Sequence, residues 1–145
     1  MRIEEYFHQV DATITLCSRV ALKTMLYDER SETKGFIRGL LHFDDGSELH
    51  IREFVDISTG IERYKYSYHY MREGRLMFRY DNSADITARD FATYPHHKHV
   101  GDIIQASSAP SLAEVLAEMV EMLQETSCLV AMLRWQSTTT QENLL

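Results

Sequence analysis

Three histidines and a lysine fall within four residues, His96-His97-Lys98-His99, directly after Tyr94-Pro95. Histidine titrates nearest neutral pH, so paired imidazoles can divide general acid and general base roles. Metal-free RNA cleavage needs those two roles and cations to stabilise charge developing on phosphorus. Upstream stand Arg79 and Asp81, two apart and therefore on one face of a strand. His97 and His99, then His96, are the acid–base candidates, and Asp81 is the carboxylate that orients one of them. Arg79, Lys98 and Lys65 could contact phosphate. Tyr66 and Tyr68 could stack on a single-stranded base.

The same residues admit other readings. His97 and His99 could both face one metal ion, with Asp81 or His69 completing the ligand set, although a histidine pair without cysteine is a weak metal signal. The histidines could instead be bound to Asp81 or Asp90 and merely fix a loop. Arg79, Asp81 and Lys65 could form a structural ion-pair group. Tyrosines at strand period more often pack beneath a helix than bind bases, and buried phenols then need hydrogen-bond partners. The acid–base reading requires neither metal nor cofactor.

Any of these roles depends on the elements that hold the residues. Ile3, Tyr6, Phe7, Val10 and Ile14 have helical spacing over residues 2–14. A strand follows at about 18–28, with Val20, Leu22, Thr24 and Leu26 on one side. Runs 35–43 and 48–57 flank Asp44-Asp45-Gly46-Ser47, a hairpin signal. In the second run Leu49, Ile51 and Val55 share a face, and His50, Arg52 and Phe54 point the other way.

In residues 61–70, Tyr64, Tyr66, Tyr68 and Tyr70 line one face and Arg63, Lys65, Ser67 and His69 the other. Pairing aromatics with aromatics sets Tyr68 opposite Phe78 and Lys65 opposite Asp81 in the next strand. Residues 82–104 show no sustained period and read as a long ordered loop ending in an extended piece, a kind of segment often functional. Ser111 and Glu114 form a capping box for a helix with Leu112, Val115, Leu116, Met119, Met122 and Leu123 on one stripe. Its glutamates read as a solvated face, or as a surface for a basic partner segment. Cys128 to Trp135 is a strand or a helix extension. The expectation is α+β: an antiparallel meander of about five strands, with an N-terminal and a C-terminal helix on one face. Residues 1–135 form a single domain in this reading, and 136–145 a flexible tail.

A chain of 145 residues with 44% hydrophobic content can bury a core without disulfides or a structural metal. Its net charge of −7 argues against a broad, sequence-blind nucleic-acid surface. The acid is uneven, however: Arg63, Lys65, Arg72, Arg75 and Arg79 face only Glu73 over residues 63–79, so a local basic face is compatible with an acidic body. The two separated cysteines, the lack of a signal core and the lack of an apolar run of roughly 20 residues predict a cytoplasmic protein with no membrane segment.

Taken together, Tyr66-Ser67-Tyr68-His69-Tyr70, Arg79-Tyr80-Asp81-Asn82 and Tyr94-Pro95-His96-His97-Lys98-His99 resemble the TumE family of toxin–antitoxin proteins. The hairpin FDDGSELHIREFV and the late Leu/Val/Glu helix add to the likeness, which spans roughly residues 2–125. Where the family commonly continues Ala-Pro-His-His after Arg-aromatic-Asp-Asn, this chain has Ser83-Ala84-Asp85-Ile86, so one histidine pair is absent. The resemblance implies a toxin neutralised by a helix-turn-helix antitoxin. Joined to the residues, it leads to an expected cytoplasmic ribonuclease toxin using histidine chemistry, with a homodimer compatible. The rival expectations are a non-catalytic protein that binds its antitoxin and a cellular target, and a metal-dependent enzyme acting on a small molecule.

Overall fold

The computed structural model describes residues 1–142, with the side chains of 126–127 and 136–142 not described. Helix α1 (Ile3–Leu16) leads into seven strands: β1 (Val20–Glu29), β2 (Lys34–Phe43), β3 (Glu48–Asp56), β4 (Glu62–Arg72), β5 (Arg75–Asp81), β6 (His97–Val100) and β7 (Ile103–Ala106). Helix α2 (Leu112–Glu142) closes the chain. The sheet is an antiparallel meander in which each strand pairs with the next.

One face of the sheet is covered. The stripe Ile3, Tyr6, Phe7, Val10 and Ile14 of α1 joins Leu112, Val115, Leu116, Met119 and Leu123 of α2 over the inward residues of the strands. Ile37, Leu41, Leu49, Ile51, Val55, Tyr68 and Tyr70 are all within 1% of complete burial. Each such side chain contributes roughly 1.5–3 kcal/mol by leaving water. The capping box at Ser111 forms reciprocally: Glu114 N–H donates to Ser111 Oγ at 3.2 Å, and Ser111 N–H to Glu114 Oε2 at 3.1 Å.

The sheet has seven strands where about five were expected. The extra pair, β6 and β7, is a hairpin of four-residue strands turned at Gly101 (φ +56°). Strands this short lack a readable period. The remaining loop, 82–96, contains one 3-10 turn, Ile86–Ala88. In β1, Leu22, Thr24 and Leu26 share a side as expected, but Val20 does not. A bulge after Val20 turns Met25 and Tyr27 toward the core and leaves Leu22 and Leu26 exposed.

Between β4 and β5 a two-residue turn, Glu73-Gly74, has positive φ at both positions. A bulge at Tyr70/Met71 then shifts the pairing, so Tyr70 faces Phe78, Tyr68 faces Tyr80 and His69 faces Arg79. Aromatics do meet aromatics, as expected, but two residues further along. Lys65 therefore does not face Asp81, whose partner is Ser67. Cys128 to Trp135 continues α2, as does the backbone of residues 136–142, which was expected to belong to a tail. Residues 143–145 lie outside those described.

Candidate functional site on the open sheet face

The uncovered face carries three cross-strand rows, because in-register neighbours share a face. One row runs His50, His69, Arg79, His99 across β3 to β6. The adjacent row runs Arg38, Arg52, Ser67, Asp81, His97 across β2 to β6. The third runs Phe36, Phe54, Lys65 across β2 to β4. Successive rows lie about 7 Å apart along the strands. A pocket of about 600 Å³ opens over the first two rows, lined by His50, Arg52, Ser67, His69, Arg79 and Asp81 among others.

At its β6 end the polar groups converge. Asp81 is buried, and accepts from Arg79 Nε at 2.8 Å and from Ser83 N–H at 2.9 Å. His97 is fully buried, with Nδ1 2.8 Å from the Pro95 carbonyl. A carbonyl only accepts, so Nδ1 carries hydrogen. Its Nε2 lies 3.2 Å from Asp81 Oδ1 and 3.0 Å from His99 Nε2. Arg79 Nη2, which can only donate, is 2.9 Å from His99 Nε2 and makes that nitrogen an acceptor. His97 Nε2 thus stands at the junction of the Asp81 carboxylate and the His99 ring.

Burial and the adjacent Arg79 guanidinium hold the His99 pKa below its ordinary 6.5, against an opposing pull from Asp81. His69 is lowered in the same way, by burial first, then Arg79 and His50. Its Nε2 is buried with no hydrogen-bond partner among the described residues. Left so, it costs about 1–3 kcal/mol, which a hydroxyl from a ligand would recover. The arrangement thus sets two imidazoles inclined to be neutral on either side of a fixed guanidinium.

The ligand atoms of Asp81, His97 and His99 lie within 4.8 Å of one another, a spacing compatible with a metal ion. A divalent ion there must first displace Arg79 from the Asp81 and His99 lone pairs. His69, the other metal ligand considered from sequence, stands across Arg79 from His99.

The remaining candidates are dispersed. Lys98 points to the helix-covered face. It pairs with Glu118 and lies 5.3 and 4.8 Å from the Phe78 and Tyr80 ring centroids, so it is not placed to meet phosphate on the open face. His96 stacks on Tyr66 at 5.8 Å, with Nδ1 2.9 Å from its hydroxyl, apart from His97 and His99. Strand alternation sends Lys98 and its neighbours to opposite faces.

Tyr66 and Tyr68 are core residues, 4% and 0% exposed, and offer no ring to a base. The Tyr68 hydroxyl donates to Glu53 at 2.5 Å, Tyr70 donates to Ser47 at 3.0 Å, and burial pushes the Tyr66 pKa up to about 12. Lys65 is exposed on the open face.

Four residues gain standing that sequence did not assign them as a group: Arg38, Arg52, His50 and His69. Alternation had already put His50 and Arg52 on the outer face of β3, and His69 on that of β4. Their alignment needed the register. Arg38 and Arg52 are exposed and directly opposite, and neither side chain has a carboxylate partner among the described residues. Like charges so placed repel, which makes the pair a ready anion contact.

Among the described residues no helix is long and apolar enough to cross a membrane. No curated protein and no solved structure matches the chain. The model for the family described as Toxin TumE matches residues 10–127, most of the chain, and the protein belongs to that family of toxin–antitoxin toxins, which implies an antitoxin partner.

Proposed function

We propose that this toxin is a cytoplasmic ribonuclease, held in check by a helix-turn-helix antitoxin, and that it cleaves RNA by histidine acid–base chemistry on the open sheet face. The observation that carries this is the row His69, Arg79, His99, backed by the Asp81–His97 pair. Residues two strands apart are roughly 10 Å apart at the backbone, room for one phosphate with a hydrogen bond of about 2.8 Å on either side.

In this reading His69 Nε2 takes the proton of a ribose 2′-hydroxyl. The freed oxygen attacks the adjacent phosphorus, and the bond from phosphorus to the 5′-oxygen breaks. His99 gives a proton from Nδ1 to that leaving oxygen and takes one from His97 at Nε2. The products are a 2′,3′-cyclic phosphate and a 5′-hydroxyl. Arg79 faces the phosphate oxygens as negative charge grows, and Arg52 and Lys65 extend the basic track. His97, buried, holds and supplies the proton, and Asp81 fixes His97 and Arg79.

The test is purified toxin on total RNA, with and without chelator, and with the 5′ ends of the products identified. The expected outcome is chelator-resistant cleavage leaving 5′-hydroxyl ends, reduced about 10²–10⁴-fold in His69→Ala and in His99→Ala. The double variant His97→Ala/His99→Ala is expected to be folded and non-toxic. A folded double variant that remains toxic refutes the chemistry. Cleavage lost on chelation favours the second reading, a metal held by Asp81, His97 and His99 on the strength of their 4.8 Å spacing. The absence of any RNA cleavage favours a toxin that acts by binding alone.

A further inference from the structure

Beside the histidine pocket lies a second cleft of about 850 Å³ whose walls include Phe54, Tyr64 and Tyr94. The three rings are 36%, 49% and 39% exposed, and the Phe54 and Tyr64 centroids are 6.1 Å apart at 39°. Single exposed aromatics are ordinary on protein surfaces. Three around one cleft present ring faces that could hold a flat apolar group. A bulge at Phe54/Val55 makes this possible: it lets Arg63 turn beneath the sheet to Tyr68 and Pro110 while Tyr64 swings out beside Phe54.

The cleft is continuous with the basic rows, since Arg52, Ser67 and Ser83 line both cavities. Lys65 stands at its edge with no carboxylate partner among the described residues. The cleft's one glutamate, Glu53, is buried and has both oxygens bonded from the covered face, by Tyr6 and Tyr68. The Glu53 oxygens are therefore directed to the covered face and not into the cleft. Asn82 is occupied in pinning the strand ends, accepting from Tyr66 N–H and donating to the Tyr64 carbonyl, so it holds the tyrosine in place rather than reading a ligand.

We propose that this cleft is a nucleobase pocket for single-stranded RNA. It takes the base of the nucleotide that flanks the scissile phosphate, stacked on the exposed faces of the adjoining Phe54 and Tyr64 rings with Tyr94 closing one side. That nucleotide's phosphate lies on Arg52 and Arg38, and the next phosphate along the strand lies at Arg79. The assignment rests on the ribonuclease reading for the identity of the strand. The aromatic and charge geometry is independent of how the strand is cut. Stacking tolerates any base and is strong enough to dominate the affinity of a weak single-strand site.

The experiment is equilibrium binding of a labelled 2′-O-methyl RNA oligonucleotide, which cannot be cut at its riboses, to the full chain. It is compared with an abasic oligonucleotide of the same length. Wild type is expected to bind the base-bearing strand about tenfold more tightly or better. Phe54→Ala/Tyr64→Ala removes that preference and leaves abasic binding as it was, whereas Tyr64→Phe retains it. Unfolding midpoints check the fold, and Phe54→Leu/Tyr64→Leu, with the same loss expected, replaces an alanine pair that fails to fold.

Equal affinity of wild type and double variant overturns the proposal, as does equal affinity of wild type for both strands, or no binding of either. A base preference lost with the aromatics in a protein that cuts no RNA upholds the pocket and removes the cleavage reading. Cleavage with no base preference removes the pocket alone.

Discussion

Replacing Asp81 by asparagine tests the centre of the site most directly, because the change keeps shape and removes only charge and one acceptor. Asp81 Oδ2 accepts from Arg79 Nε at 2.8 Å. Oδ1 accepts from Ser83 N–H at 2.9 Å and faces His97 Nε2 at 3.2 Å. Asparagine has one acceptor oxygen and must direct an N–H at one of these two sets. With the amide nitrogen at Oδ1, the Ser83 N–H is orphaned. With it at Oδ2, it opposes Arg79, which can swing to solvent because its side chain is already 34% exposed. The second arrangement costs less.

Loss of a charge-assisted hydrogen bond then costs roughly 1.5–3 kcal/mol. The 3–5 kcal/mol typical of a broken buried pair is an upper limit, since Arg79 regains water. The expected destabilisation is about 2–3 kcal/mol, or a Tm lower by roughly 5–10 °C for a chain of this size. Urea unfolding and thermal melts measure it. Toxicity and RNA cleavage are expected to fall together, because Arg79 and His99 lose their fixed positions. An Asp81→Asn protein that melts within about 1 °C of wild type, or one that is still fully toxic, refutes the role assigned to this carboxylate.

Stability should fall on mild acidification. His69, His96 and His99 all have folded pKa values below 6.5, chiefly through burial, so the unfolded chain takes up protons first. Their contribution is therefore complete above about pH 6.5 and is lost as pH drops through the folded values. Urea midpoints between pH 5 and 7.5 check this, and a flat or rising profile toward acid contradicts it. Lys98→Ala is expected to cost on the order of 1 kcal/mol, through the Glu118 pair and the Phe78 and Tyr80 rings, while leaving RNA cleavage intact. Loss of cleavage in a folded Lys98→Ala protein would return that lysine to the site.

Much of the fold was legible because its signals are local. The α1 stripe, the Ser111 capping box, the Asp44–Ser47 hairpin and the alternation in β3 and β4 each depend on residues within one or two turns or strands. The α+β class and the sorting of Tyr66, Tyr68 and Tyr70 to the core face and His69 and Lys65 to the open one follow from that period alone, whereas the Phe54/Val55 bulge exchanges the expected sides of Arg63 and Tyr64. The motifs also carried the family, since they are contiguous runs. Val20 parted from Leu22, Thr24 and Leu26 in β1 for an equally physical reason. One bulged residue exchanges the two sides of a strand, and nothing local in Val20 to Leu26 marks it.

Tertiary structure decided which chemistry-bearing residues meet. The Tyr70/Met71 bulge, not the aromatic count, determines that His69 rather than Ser67 faces Arg79. The pairing of β6 on β5 then brings His99 and His97 onto Arg79 and Asp81. The same pleat separates residues that look like one cluster in the chain: His97 and His99 go to the open face, and His96 and Lys98 to the covered side. Sequence determined the inventory of acids, bases and rings and their alternation along each strand. Register, set by bulges and turns that sum over the whole meander, determined which of them share a pocket.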